Sequence, residues 1–175
     1  WTVEEDWIGW QKCHGSWDCR VLDPARPVDV AVIGDSHAGH LGTGLLDIFR
    51  DSGMNVTVRQ RPMCMPLFSL QMGSRKYFDC LGFIDKALQE SIESPSIHEI
   101  VLSGYANNFI YKYPDGVPGN PNLRDIASDS AGEPNPEHLA ALAQALDVTL
   151  DRLSRSGKRI VFLVDNPEIT FEPRE

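Results

Sequence analysis

Val28-Asp29-Val30-Ala31-Val32-Ile33 is an almost wholly apolar run, and it stops at Gly34-Asp35-Ser36. A serine set directly behind a small turn residue can serve as a nucleophile toward an acyl group. Three physical features favour that use of Ser36. Gly34 permits a tight turn without a side-chain clash. A helix that starts after the turn presents unsatisfied N–H groups and a positive dipole end, which can hold a developing oxyanion. A hydroxyl at the end of a buried strand also faces a cleft rather than the core. The same turn suits plain helix capping by Asp35 or Ser36, and turn and position alone do not separate the two readings.

A serine hydroxyl is a weak nucleophile until a base takes its proton. The sequence has five histidines. His37 adjoins Ser36 and is expected to point elsewhere. His40 lies about one helical turn on and leans toward the N-terminus, so contact with Ser36 is conceivable, but no acidic partner for it is evident. His14 and His98 read as surface or packing residues.

The elements that must hold Ser36 follow from periodicity. Residues 28–33 read as a central strand covered on both faces. Leu41, Leu45, Leu46 and Phe49 recur at helical spacing, giving a helix over 41–50. A second strand covers 55–60, and a loop with Pro62, Cys64 and Pro66 fills 61–74. A helix over 76–93 leads to a third strand over 97–103. A Gly/Pro/Asn-rich excursion spans 105–134, longer than ordinary connections. Asn135 and Pro136 look like an N-cap and first helical residue. Leu139, Leu142, Leu146, Leu150 and Leu153 form one side of the helix that follows, and residues 159–164 form a fourth strand. Strand and helix alternate, which builds a parallel sheet with helices on both faces. The expected fold is a three-layer α/β/α sandwich of flavodoxin-like type. No helix after 159–164 covers that strand, so the domain is expected to be incomplete at its C-terminus. In such a sheet ligands bind beyond the carboxyl ends of the strands, where Ser36 stands.

The 175 residues, 42% of them hydrophobic, suit one domain with a real core. Net charge is -9, which argues against nucleic acid or an anionic membrane as partner. No apolar run approaches the roughly 20 residues of a membrane span, and no signal peptide is visible. The chain opens on Trp1 rather than Met, so it is expected to be a piece of a longer protein. Residues 1–27 hold all four tryptophans. They read as a cover packed on the α/β domain of residues 28–175, in preference to a sugar-stacking surface. Cys13, Cys19, Cys64 and Cys80 lack metal-ligand spacing. Local disulfides Cys13–Cys19 and Cys64–Cys80 fit better, with buried free thiols as the alternative. If they form, the compartment is oxidising. Nothing calls for a metal or a cofactor, and no GxGxxG or Walker pattern supports a nucleotide binder.

Gly34-Asp35-Ser36 behind the first strand resembles the opening block of SGNH (GDSL-like) hydrolases. Gly34-Asp35-Ser36-His37-Ala38 with His40-Leu41, Cys64-Met65-Pro66, a Cys in the next helix and a Cys pair ahead of the strand resemble one subset more closely. In that subset the SGNH domain is fused behind integral-membrane acyltransferases that O-acetylate bacterial surface glycans. The resemblance spans about residues 13–167. It implies a serine acyltransferase or esterase acting on a periplasmic or cell-surface glycan, tethered to the membrane through an upstream acyltransferase domain. Ser36 would attack, and its own N–H would bind the oxyanion. The family's oxyanion asparagine would be Asn107, with Asn108 as the alternative. The family's second donor is a glycine after strand two. Here residues 61–72 have none, so an N–H near Met63 or Cys64 would substitute, or the donor is absent. The family's base is a His in a C-terminal Asp-x-x-His block, which this sequence lacks; Asn135-Pro136-Glu137-His138 imitates only its spacing. The base is therefore expected on residues outside this chain. The alternative is a noncatalytic glycan-binding or docking module of the same parent.

Overall fold

The computed structural model describes residues 9–13, 18–70, 79–106 and 136–163. Two short strands, β1 (Gln11–Lys12) and β2 (Cys19–Val21), lead into β3 (Val30–Gly34). Then come α1 (Ser36–His40), α2 (Gly42–Ser52), β4 (Val56–Gln60), α3 (Cys80–Glu93), β5 (Glu99–Ser103), α4 (Pro136–Ser154) and β6 (Arg159–Leu163). The sheet runs β1-β2-β4-β3-β5-β6. Strands β4, β3, β5 and β6 are mutually parallel. The β1–β2 and β2–β4 pairs are antiparallel.

Every residue of β3 is buried, because β4 and β5 flank it and helices cover both faces. That is why its run carries no charge. Alternate side chains go to opposite cores. Val30 and Val32 pack with Ala38, Phe49, Val56, Val58 and Val101 under α1 and α2. Ala31 and Ile33 pack with Ile84, Leu88, Ile100, Leu102 and Leu153 under α3 and α4. The chain steps from β3 out to β4, then returns past β3 to β5 on the other side. The crevice between the carboxyl ends of β3 and β5 is thus the topological switch point of the sheet.

The expected α/β/α sandwich is what forms, with adjustments that have physical causes. The antiparallel β1–β2 extension was not expected: two and three residues are too short to show a period of two. It adds Gln11–Lys12 and Cys19–Val21 to the sheet beside β4. Trp10 is buried, its indole N–H donating to the Gly42 carbonyl at 3.3 Å; the other three tryptophans lie outside the described residues. The helix after Gly34 starts at Ser36 rather than Leu41 and breaks once, at Leu41, between α1 and α2. Helix α3 is described from Cys80; residues 71–78 lie outside. Leu139 and Leu150 are exposed, while Leu142, Leu146 and Leu153 meet the core. Ala145 and Thr149 hold the sheet-facing line of α4 instead.

Thr149 has a reason to be there. Its hydroxyl oxygen accepts the Phe68 N–H at 2.8 Å and donates to the Ala145 carbonyl at 2.6 Å. It is one of several ties on the loop after β4. Both expected disulfides are present, and Cys64–Cys80 fastens this loop to α3. The Ser69 N–H donates to Asp85 at 2.9 Å, while Leu67, Phe68 and Leu70 are buried. Thr149→Val keeps the side-chain shape but leaves the Phe68 N–H buried without an acceptor. Urea denaturation should show a loss of about 1–3 kcal/mol. The paired Cys64→Ser, Cys80→Ser variant should lose about 3 kcal/mol in the same measurement.

Candidate active site

Gly34 is the last residue of β3 and pairs with Gln60 on one side and Ser103 on the other. A Cβ at Gly34 would stand 1.6 Å from the Ser103 carbonyl oxygen, so β3 and β5 meet here at a distance that admits no side chain. The Gly34 carbonyl accepts the Arg61 N–H at 3.0 Å. Arg61 in turn pairs with Asp18 and lies 4.2 Å over the Phe83 ring. The turn that follows is therefore mounted on three strands.

Asp35 caps α1. Its backbone is extended (φ -92°, ψ -154°), and its carboxylate accepts the His37 N–H at 2.8 Å. The capping role that the sequence left open between Asp35 and Ser36 thus falls to Asp35. Ser36 is the first residue of α1 and partly exposed, with buried Asp35 before it and buried Ala38 and Gly39 behind. It stands just past the carboxyl end of β3, between β4 and β5, where the strand order switches, at the N-terminal end of the short α1.

The His37 ring turns toward Asp35, with Nδ1 3.2 Å from Oδ1. It also stacks on Tyr105, the second residue after β5, with ring centroids 5.1 Å apart and planes 24° apart. His40 is exposed, its ring 5.9 Å from that of His37. His98 sits at the opposite end of the sheet, where its carbonyl accepts the Arg159 N–H. His138 is partly buried on the first turn of α4, and Pro136 opens that helix. Asn107, Asn108 and His14 lie outside the described residues.

Loop 61–70 borders the same crevice. Met63 has φ 65°, a left-handed backbone that glycine adopts without cost and methionine does not. Sequence inspection finds no glycine here and so gives no sign of the turn; the geometry a glycine would supply is present all the same. The Cys64 N–H donates to the Arg61 carbonyl at 3.1 Å and closes that turn. Sequence reading also missed the Asp35–Tyr105 and His37–Tyr105 contacts, because nothing local marks partners so far apart. No cluster that could hold a metal exists among the described residues. A groove of about 760 Å³ lies elsewhere, on the α3 face of the sheet, lined by Cys19, Thr57, Arg59, Phe83 and Lys86 among others. It includes none of the residues of the Gly34–His37 turn.

Comparison with known proteins now bears on this geometry. The family model described as an SGNH domain fused to AT3 domains matches residues 5–175. No curated protein matches the chain. Among solved structures, the periplasmic domain of a lipopolysaccharide acetyltransferase from Salmonella ser. Paratyphi A is similar, with a TM-score of 0.50 and 16% identity. The match covers 78% of this chain and 44% of that one. At that identity the likeness speaks for the fold, and this chain spans less than half of the neighbour's length.

Two substitutions probe the local geometry. Gly34→Ala forces β3 away from Ser103 and should destabilise the protein by at least about 3 kcal/mol or abolish folding. Met63→Gly removes a left-handed strain of about 1 kcal/mol and adds a comparable unfolded-state entropy. Its denaturation midpoint should stay close to that of the parent.

Proposed function

The chain belongs to the family of SGNH domains fused to AT3 domains, and on that footing we propose that it is an acyl-transfer or esterase domain with Ser36 as nucleophile. The observation that carries the reading is the division of labour at the turn. Asp35 takes the capping role, so helix formation does not explain a serine at the crevice mouth.

The reaction would run in two halves. Ser36 Oγ attacks an acyl carbonyl while a base takes its proton, and the carbonyl oxygen becomes an oxyanion. The Ser36 N–H at the start of α1 is one donor to that oxyanion. Asn107 is the proposed side-chain donor, reached two residues past Tyr105. A backbone N–H near Met63 or Cys64 is the proposed donor in the family's glycine position, supported by the glycine-like φ of Met63. Collapse of the intermediate expels the donor alcohol and leaves an acyl-serine. A hydroxyl of the acceptor, or water, then takes the acyl group and restores Ser36. The base is proposed to come from residues outside this chain, since the sequence has no Asp-x-x-His block.

The substrate class proposed is an O-acyl, most simply O-acetyl, ester of a periplasmic or cell-surface glycan. The family description supplies an AT3 domain as the fused partner. The structural neighbour's periplasmic setting and both disulfides support an oxidising location with a membrane tether. No helix among the described residues is long and apolar enough to cross a membrane, so the tether would be supplied by the rest of the parent.

The test uses the full-length protein, a serine-directed fluorophosphonate and a small aryl acetate. Labelling should map to Ser36. Ser36→Ala should abolish labelling and lower ester turnover by at least about 1000-fold. Labelling that persists in Ser36→Ala would move the nucleophile to another residue, and no labelling of the wild type would point to the noncatalytic binding module instead.

A further inference from the structure

Asp35 is only 2% exposed, yet its carboxylate serves both sides of the switch-point crevice. Oδ1 accepts the His37 N–H and caps α1. Oδ2 accepts the Tyr105 N–H at 2.8 Å, just past the end of β5. Capping explains the first bond. Serine, threonine and asparagine would cap as well, and none of them offers two acceptor oxygens set on opposite sides.

We infer that Asp35 is a positioning residue for Ser36: its carboxylate fixes the nucleophile's turn against the end of β5, and hence against the segment leading to Asn107. The inference rests on the reading of Ser36 as nucleophile. Bonds from N–H groups to a buried carboxylate are charge-assisted and short. They are stiffer in a dry site than the same bonds in water. The surroundings close on this junction from a third side. A Cβ at Gly104 would stand 2.8 Å from Pro66 Cδ, 2.9 Å from Met65 Sδ and 3.6 Å from Asp35 Oδ2. Loop 61–70 and the carboxylate thus both crowd the Gly104 backbone at the end of β5, which carries no side chain. The stacked His37 and Tyr105 rings join the same two segments a second time. An oxyanion hole assembled from α1, from loop 61–70 and from residues beyond Tyr105 has its parts on three separate stretches of chain. Asp35 is hydrogen-bonded to two of them, at the His37 N–H of α1 and at the Tyr105 N–H past β5.

Asp35→Asn separates the two roles of the carboxylate. Asparagine caps a helix as well as aspartate does, so its remaining oxygen stays with the His37 N–H. Its amide nitrogen then faces the Tyr105 N–H, donor against donor. In the full-length protein, fluorophosphonate labelling of Ser36 should slow about 10- to 100-fold. Turnover of the aryl acetate should fall through kcat, with KM nearly unchanged. Amide exchange should quicken at Tyr105 and stay slow at His37. Ile84→Val, a core change costing about 1 kcal/mol, serves as the control for loss of stability and should keep the parental labelling rate. Unchanged labelling together with unchanged exchange at Tyr105 in Asp35→Asn would overturn the inference. So would quickened exchange at His37 in place of Tyr105, or an equal slowing in Ile84→Val. If wild-type Ser36 takes no label, the nucleophile reading falls and the positioning role falls with it; a labelled wild type beside an unaffected Asp35→Asn removes the positioning role alone.

Discussion

The space between Gly34 and Ser103 holds no side chain, and the site is organised around that fact. A Cβ there would fall 1.6 Å from a carbonyl oxygen. Ordinary parallel pairing therefore carries β3 and β5 to their carboxyl ends without divergence. The two backbones then part, one into α1 and one toward Tyr105, and the crevice opens between them. A larger residue at position 34 would open the sheet one step too early and move the start of α1 off its support.

The remaining features build outward from that contact. Asp35 spans the gap with one buried carboxylate. Arg61 holds the Gly34 carbonyl from the β4 side and reaches Asp18 through its guanidinium. Loop 61–70 is pinned by a disulfide, by Thr149 and by the buried side chains of Met65, Leu67, Phe68 and Leu70. Each buried side chain of that size contributes on the order of 1.5–3 kcal/mol. That is ample to hold Met63 in a backbone form costing about 1 kcal/mol. Local strain at the crevice is offset by packing a short way off.

Much of this was legible in the sequence. The four parallel strands showed as short apolar runs between helical periods, and Pro136 marked the start of α4 correctly. The disulfides followed from cysteines too far from metal-ligand spacing. What stayed hidden has physical causes. Strands of two and three residues carry no periodicity. The break at Leu41 leaves the apolar pattern of α1 and α2 intact. Leu139 and Leu150 looked like core because leucine fits helical spacing on either flank of a stripe; Thr149 took the inner line because its hydroxyl serves the Phe68 N–H. At the site, Ser36 and Asp35 could be named but the capping role could not be divided between them, because either fits the turn, and the second partner of Asp35, Tyr105, is remote in sequence. Met63 was hidden for the opposite reason: a left-handed turn is usually announced by glycine, and here it is not.

The proposed chemistry needs the Ser36 hydroxyl at the crevice and backbone N–H groups beside it to receive the oxyanion. A crystal structure of the full-length protein after reaction with the fluorophosphonate tests this most directly. The account predicts a phosphonyl group on Ser36 Oγ, with its free oxygen within hydrogen-bonding distance of the Ser36 N–H and enclosed by loop 61–70 and the segment after β5. An adduct on another residue, or one on Ser36 whose oxygen points to solvent away from those amides, would contradict it.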